Sequence, residues 1–388
     1  MKANVGTMVR AAKCKTIDIT TPITLEAYVE FIVRDKEGRI TQYKRKKAES
    51  FVRQFIDLLY TRFAFNGEAY GILDITNTSR NVFGIDYYYF DVAGYAGVVN
   101  KGIIIGTGTG AVAIGNYVIG TIIPHATMNY GAVTFGAPAD DGTTTQFRIT
   151  RDFANVSGGS VTVEECGLYS IYAYTLLLAR DLTGGIVVPN GQTLTVNYQI
   201  QGTIANYLVR GLIHLLYSLM AGSYAGAYDI TGANRTVGPY KNTLCIDSPA
   251  GFCYSVMLGT SSPFYILTHT GDDFGVVVGS GTAAVASSDY KLATKIAHGK
   301  TSGTQLLHAG TEVDLPVVSA PTASVKVRRY FYNDSGATVT VKEAGIYASA
   351  FYSPDTYYLY LIARKLTGDV AVLNTELLKV EWTFQVST

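Results

Sequence analysis

The chain has 388 residues, 48% of them apolar and 16% charged, with a net charge of +1. Apolar content this high at so low a charge excludes a disordered chain, and the neutral balance gives no electrostatic ground for sequence-specific nucleic-acid binding. The 29 tyrosines and 40 glycines, with abundant Val, Ile and Thr, favour pleated strands joined by tight turns.

The N-terminus, Met1 to Arg10, lacks the unbroken apolar run of a secretory signal, and residues 1–20 read as an arm ahead of the first domain. Next, Leu25, Ala27, Val29, Phe31 and Val33 alternate with Glu26, Glu30 and Arg34, the period of a half-buried strand. Asp35-Lys-Glu-Gly38 turns the chain back. The return strand carries the one dense positive run, Lys44, Arg45, Lys46 and Lys47. It reads as an edge strand guarded by charge, with contact to an anionic surface (genome, internal membrane or acidic neighbour) as its functional reading.

Phe51, Phe55, Leu58, Leu59 and Phe63 then share a helical face. The most apolar long stretch, Gly102 to Ile123, is interrupted by Thr, Asn and Gly, so it reads as buried strands and not as a transmembrane segment. Leu194, Val196, Tyr198 and Ile200 alternate with polar neighbours as another strand. A second helix follows, with Leu208, Leu212, Leu215, Leu216 and Met220 on one face and a glycine cap at Ala221-Gly222. The chain closes on Leu378, Val380, Trp382, Phe384 and Val386, again at strand period.

These elements come twice. Phe51-Val-Arg-Gln-Phe-Ile-Asp-Leu-Leu-Tyr60 returns as Leu208-Val-Arg-Gly-Leu-Ile-His-Leu-Leu-Tyr217, and Gly102-Ile-Ile-Ile-Gly-Thr-Gly-Thr-Gly110 as Gly275-Val-Val-Val-Gly-Ser-Gly-Thr-Ala283. Val161-Thr-Val-Glu-Glu-Cys-Gly-Leu-Tyr169 returns as Val339-Thr-Val-Lys-Glu-Ala-Gly-Ile-Tyr347, and Ala179-Arg-Asp-Leu-Thr-Gly184 as Ala363-Arg-Lys-Leu-Thr-Gly368. The order is kept while the spacing between partners widens, so length changes fell in loops between packed blocks. The expected fold is all-β: two tandem homologous β-sandwich (jelly-roll-like) domains, residues 21–202 and 203–388, each with one short α-helix.

The chemical candidates are few. Glu165 and Glu343, with Arg151, Arg329, Arg180 and Arg364, recur in both copies and read as structural ion pairs, since no nucleophile accompanies them. Gly106-Thr-Gly-Thr-Gly110 lacks the Gly-Lys-Ser/Thr ending of a phosphate loop and reads as a strand-ending turn. His125 and His298 occupy equivalent places without ligand-spaced companions, and Asp140-Asp141 and Asp272-Asp273 lack the spacing of a calcium loop. Cys14, Cys166, Cys245 and Cys253 show no CxxC spacing. Cys166 reads as a small buried residue, and Cys245 with Cys253 could face each other across a hairpin. No catalytic residue, metal or cofactor is expected. Four Asn-x-Ser/Thr sequons, at Asn77, Asn155, Asn234 and Asn333, are candidate glycosylation sites in turn-forming sequence. Tyr87, Tyr88, Tyr89 and Phe90, with Tyr352, Tyr357, Tyr358 and Tyr360, are candidate contact surfaces, because Tyr offers large area with a polar tip; filling the cores is their other reading.

The succession Gly102 to Gly110, Asn116-Tyr117, His125, Arg151, Asn155-Val-Ser-Gly158, Glu165-Cys-Gly-Leu-Tyr169 and Leu178-Ala-Arg180, repeated in the second half, resembles β-sandwich modules in virion structural proteins of phages and archaeal viruses. It covers roughly residues 100–200 and 273–388. The resemblance implies a non-enzymatic, particle-building subunit that meets copies of itself and other capsid proteins in the virion, assembled in the host cytoplasm, with internal-membrane or host-surface contact. Turret or vertex proteins of turreted icosahedral archaeal viruses are the sharpest match within it. The alternatives are a double jelly-roll major capsid protein, or a host-recognition or glycan-binding spike or fibre module.

Overall fold

The computed structural model describes residues 16–48, 51–64, 69–83, 87–237, 274–353 and 356–388. Three strands, β1 (Thr16–Thr24), β2 (Glu26–Arg34) and β3 (Ile40–Lys47), precede helix α1 (Arg53–Ala64). Then come β4 (Tyr70–Leu73), β5 (Ser79–Val82), β6 (Gly102–Gly106), β7 (Met128–Tyr130), β8 (Thr134–Asp140), β9 (Thr144–Asn155), β10 (Val161–Ile171), β11 (Thr175–Val188) and β12 (Thr193–Thr203). Helix α2 (Arg210–Ala221) opens the second half. It is followed by β13 (Ala225–Tyr228), β14 (Asn234–Val237), β15 (Gly275–Gly279), β16 (Ala297–His298), β17 (Gln305–Val313), β18 (Val317–Ser319), β19 (Thr322–Tyr332), β20 (Val339–Ser353), β21 (Thr356–Val372) and β22 (Leu377–Ser387). The fold is all-β with two short α-helices, as the alternating patterns and the two apolar helical faces predict. Gly222 takes the left-handed backbone (φ 57°) that ends α2.

In the first half a sheet in the order β3-β2-β12-β9-β7, with β8 also on β9, goes with a smaller sheet β11-β10-β6. The second half has β1-β22-β19-β17-β16, with β18 also on β19, and β15-β20-β21. Strands β6 and β15 are buried on both faces, which is why Ile103–Ile105 and Val276–Val278 read as unbroken apolar runs. Each half adds a small hairpin, β4–β5 and β13–β14.

The halves differ at one sheet edge. Strand β2 lies antiparallel against β12, whereas the matching side of β22 is covered by β1, running parallel to it. The boundary set at residue 20 therefore falls inside β1: residues 16–20 are strand, and they belong to the sheet of the second half. Helix α2 follows β12 almost directly, so the second half has no local strand to place beside β22. β1 fills that edge with Ile19, Thr21 and Ile23 buried, and Leu25 alone separates it from β2.

The halves also exchange their helices. α1 packs on β11 of its own half but also on β17, β19 and β22 of the other, and α2 packs on β21 and on β8, β9 and β12. Phe63 of α1 meets Phe384 of β22 at 4.8 Å, and Tyr217 of α2 meets Phe147 of β9 at 5.5 Å. Phe55, Leu59, Leu212, Leu216 and Phe384 line one apolar hollow where the two helices come together. A hydrophobic core joined in this way is reciprocal, like an isologous dimer interface within one chain.

Candidate functional site

The recurrent acid and arginine form the same buried clamp in both halves. Glu165 Oε2 accepts from Arg180 Nε at 2.8 Å, while Oε1 accepts from the main-chain N–H groups of Gly108 (2.9 Å) and Gly120 (2.6 Å). Arg180 goes on to the carbonyls of Gly110 and Ala111 and to Asn116 Oδ1. Glu343 accepts from Arg364 Nε (3.0 Å) and from the N–H groups of Gly281, Ala293 and Thr294. Arg364 reaches the carbonyls of Ala283 and Ala284 and binds Asp289 Oδ2 at 2.5 Å. Tyr169 and Tyr347 hydroxyls accept from Ile119 and Leu292 N–H of the same loops.

The glycine-rich stretch after β6 thus wraps the protein's own carboxylate. A side chain at Gly108 would come 2.1 Å from Glu165 Oε1, so glycine is required for that close approach. Both carboxylates are fully buried, and their lone pairs are taken by an ion pair and main-chain donors.

Arg151 departs from the expected ion pair. Its guanidinium, fully buried, donates to the carbonyls of Gly131, Lys101, Ile103, Tyr95 and Val98 and lies 4.8 Å from the Tyr130 ring. Burial pulls its pKa down to about 10, still far above neutrality. Arg329 likewise donates to the carbonyls of Ala309, Phe274 and Val276. Five donors in a fixed fork suit a guanidinium to gathering converging carbonyls as well as to binding a carboxylate. Sequence spacing does not distinguish the two uses.

The basic run sits on edge strand β3, and all four cations have partners within the chain. Lys44 Nζ donates to the Thr183 carbonyl (2.7 Å), Lys46 lies 3.3 Å from buried Asp181, and Lys47 pairs with Glu26 at 2.9 Å. Arg45 approaches Glu30 at 3.6 Å and lies over the Tyr28 ring. The run is therefore tied to its own sheet by Arg45 and Lys47 and to β11 of the smaller sheet by Lys44 and Lys46, and its charge is largely compensated. Beneath Lys46, Asp181 accepts from the Tyr198 hydroxyl (3.1 Å), which also lies 3.2 Å from Cys166 Sγ. Burial pushes the Cys166 thiol well up and keeps it protonated.

Part of each tyrosine run turns inward. Tyr89 and Phe90, in a 3-10 turn over Tyr87–Phe90, are buried, with Phe90 edge-on to Phe55 at 5.8 Å. Tyr360 is buried, and Tyr358 lies under the Arg235 guanidinium at 4.3 Å. Tyr89, Phe90 and Tyr360 thus fill the fold, and Tyr358 is half-buried. Tyr88 stands apart, half-buried and stacked at 5.0 Å on Tyr172, which is 53% exposed. The side chains of Tyr87, Tyr352 and Tyr357 lie outside the described residues, as do Cys14, Cys245, Cys253, His269, Asp272 and Asp273.

Two of the four sequons are structural. Asn155 and Asn333 are 1% and 0% exposed. Asn155 Nδ2 donates to the carbonyls of Gly159 and Val188, and Asn333 Nδ2 to those of Ala337 and Val372. Ser157 and Ser335 hydroxyls donate back to their asparagines. Neither Asn can carry a glycan in this fold. Asn77 and Asn234 are exposed. Asp140 and Asp141 are turn acids that accept from Gly142, Thr143 and Thr144 N–H, and for Asp140, where burial alone would raise the pKa, as for Asp141, the hydrogen bonds win and leave the value lowered. His125 Nδ1 accepts from Tyr130 N–H, and His298 Nδ1 from His308 N–H.

Two features were given no role by the sequence reading. A further repeated block ties each small hairpin: Asp74 binds Thr76, Thr78 N–H and Arg80, and Asp229 binds Thr231, Ala233 N–H and Arg235. Arg80 then lies over Tyr174 and Arg235 over Tyr358. Only Asp-Ile-Thr and the distant Arg match, a signal visible once the turn is known to need an Asx acceptor. The second is an apolar edge. Strand β18 and its lead-in expose Leu315 (63%), Val317 (58%) and Val318 (40%), where the first half has Ala137, Ala139 and Asp140. Consecutive exposed aliphatics on an edge, flanked by Pro316 and Pro321, were the available signal.

No family model matches the sequence, and no curated protein or solved structure resembles the chain closely enough to count as a match. Among the described residues there is no group of three or more metal-ligating side chains, and no helix is long and apolar enough to cross a membrane.

Proposed function

We propose that this chain is a structural subunit of a virion-type particle, assembling through contacts between its copies, with a vertex or turret as its place. The observation that carries the reading is the β18 edge. Among the described residues β18 hydrogen-bonds only to β19, and it shows Val317 and Val318, with Leu315 just before it, and no guarding charge on the strand itself. Edge strands of stable proteins are normally blunted by charge, as β3 is here. An edge that leaves aliphatic side chains exposed suits contact with a neighbouring copy. The saturated Glu–Arg clamps support the same reading, since they stiffen loops and leave no reactive group.

The test is the oligomeric state of the purified chain by mass photometry and negative-stain imaging, beside Val317→Lys. The reading expects closed rings or trimers from the wild type and monomers of unchanged circular dichroism from the variant. A five-fold ring indicates a vertex, and a trimer with a six-fold outline indicates the shell. A wild type that stays monomeric overturns the reading.

A second reading, a glycan-binding spike, is favoured by one observation: Tyr172 exposes its ring on a loop between β10 and β11 while stacked on Tyr88. Glycan-array binding lost in Tyr172→Ala is its test.

A further inference from the structure

The four sequons divide into two pairs by geometry. Asn155 and Asn333 are equivalent positions, both buried, both with the side-chain amide donating two hydrogen bonds to carbonyls. Asn77 and Asn234 sit on the two equivalent hairpins but at non-equivalent places. Asn77, at the β4–β5 turn with φ 60°, matches Gly232 (φ 82°), while Asn234, at the start of β14, matches Ser79 at the start of β5. Each hairpin thus carries one sequon of its own, Asn77-Thr-Ser79 and Asn234-Arg-Thr236.

Both asparagines are exposed, as are Ser79 and Thr236, the hydroxyl residues that complete the sequons. Among the described residues neither side-chain amide makes a hydrogen bond, so neither would lose one on modification. Asn234 lies over Gly226 across the hairpin, where a side chain would come 2.8 Å from its Oδ1. The backbone beneath each turn is held independently of the asparagine by Asp74 with Arg80 and by Asp229 with Arg235.

We propose that Asn77 and Asn234 are acceptors for N-linked oligosaccharide, one on each hairpin, and that Asn155 and Asn333 are not. The co-reactant is a lipid-pyrophosphate-linked oligosaccharide. Asn Nδ2 attacks the anomeric carbon, a C–N bond forms, the C–O bond to the lipid pyrophosphate breaks, and the amide gives up one proton. The inference stands apart from the assembly reading, since it needs only exposed, unengaged amides.

The experiment incubates the purified, folded chain with a single-subunit oligosaccharyltransferase and a lipid-linked oligosaccharide, beside a reporter peptide bearing a sequon. Intact mass and glycopeptide mapping read the result. Each half supplies a fold-compatible variant for the other: Asn77→Gly installs the residue found at position 232, and Asn234→Ser the residue found at position 79. Two added glycan masses are expected on the wild type, one on each single variant and none on the double variant, with the Asn155 and Asn333 peptides unmodified. The proposal is overturned if the reporter is modified while the chain gains no mass, or if the glycan sits on Asn155 or Asn333 of the folded protein.

Discussion

Phe63 and Phe384 meet at 4.8 Å, although one belongs to the helix of the first half and the other to the last strand of the second. Both are buried, and Tyr217 makes the reciprocal contact with Phe135 and Phe147. Each large sheet is therefore closed by the helix of the other half, and neither half has a complete core alone. The whole chain is expected to unfold in one calorimetric transition, with equal calorimetric and van't Hoff enthalpies. Phe63→Ala is expected to cost about 3–5 kcal/mol through the cavity it leaves and to lower that single midpoint. Two resolved transitions, with only one displaced by the substitution, would contradict the exchange.

The two Glu–Arg clamps differ by one charge. Arg364 has a second carboxylate, Asp289, at 2.5 Å, where Arg180 has Asn116. Removing one partner of a buried pair leaves a charge without compensation. Glu165→Gln is thus expected to cost about 3 kcal/mol and Glu343→Gln roughly half of that, because Asp289 remains beside Arg364. Adding Asn116→Asp to Glu165→Gln restores part of the loss. Urea unfolding midpoints of the four proteins decide it, and equal costs for the two single variants would refute the role given to Asp289.

How much of this was legible follows from what each signal encodes. That Glu165 and Glu343 are held by arginine could be read because acid and arginine recur together, but recurrence did not tell Arg180 from Arg151 as the partner. The period of two in Leu25 to Val33 marks a strand, and the helical faces at Phe55 and Leu212 mark helices. Alternation says which face is buried and nothing about the neighbour, so the placing of β1 beside β22 and the exchange of helices were out of reach. Consecutive aromatics such as Tyr88, Tyr89 and Phe90 carry no period at all, and only packing separates the buried pair from the half-exposed ring. Arg151 shows the same limit, because main-chain carbonyls leave no mark in a sequence.

Within the basic run, burial of the partner separates Lys46 from Lys47. Asp181 is fully buried while Lys46 is 28% exposed, and Lys47 is 59% exposed beside Glu26. Lys46→Gln leaves a buried carboxylate without its cation and is expected to cost about 1–3 kcal/mol. Lys47→Gln disturbs only a surface pair and should stay within about 0.5 kcal/mol. Chemical denaturation of the two variants side by side measures this, and a neutral Lys46→Gln would return the whole strand to the role of a wet, charged edge.

The last prediction concerns His308, which stands where the first half has Tyr130. The Tyr130 hydroxyl donates to the Ile123 carbonyl at 2.8 Å, whereas both ring nitrogens of His308 are buried without a hydrogen-bond partner among the described residues. Burial, helped by Arg329, pulls the His308 pKa down to about 2. Unfolded, this imidazole takes up a proton below about pH 6.5, and folded it does not until far lower. Its contribution is therefore fully present above pH 6.5 and is lost as pH falls, by up to about 1.4 kcal/mol per unit. Asp57, pushed up to about 6 by burial, has the opposite slope, losing stability as pH rises from its unfolded value towards 6. Comparing wild type with His308→Tyr cancels Asp57 and isolates the histidine. The variant is expected to gain about 1 kcal/mol at neutral pH from the restored hydroxyl bond, and its advantage should widen as pH falls from 6.5 to 4.5. Thermal midpoints across that range provide the check. A pH-independent difference would mean that His308 takes up its proton in the folded protein as readily as in the unfolded chain.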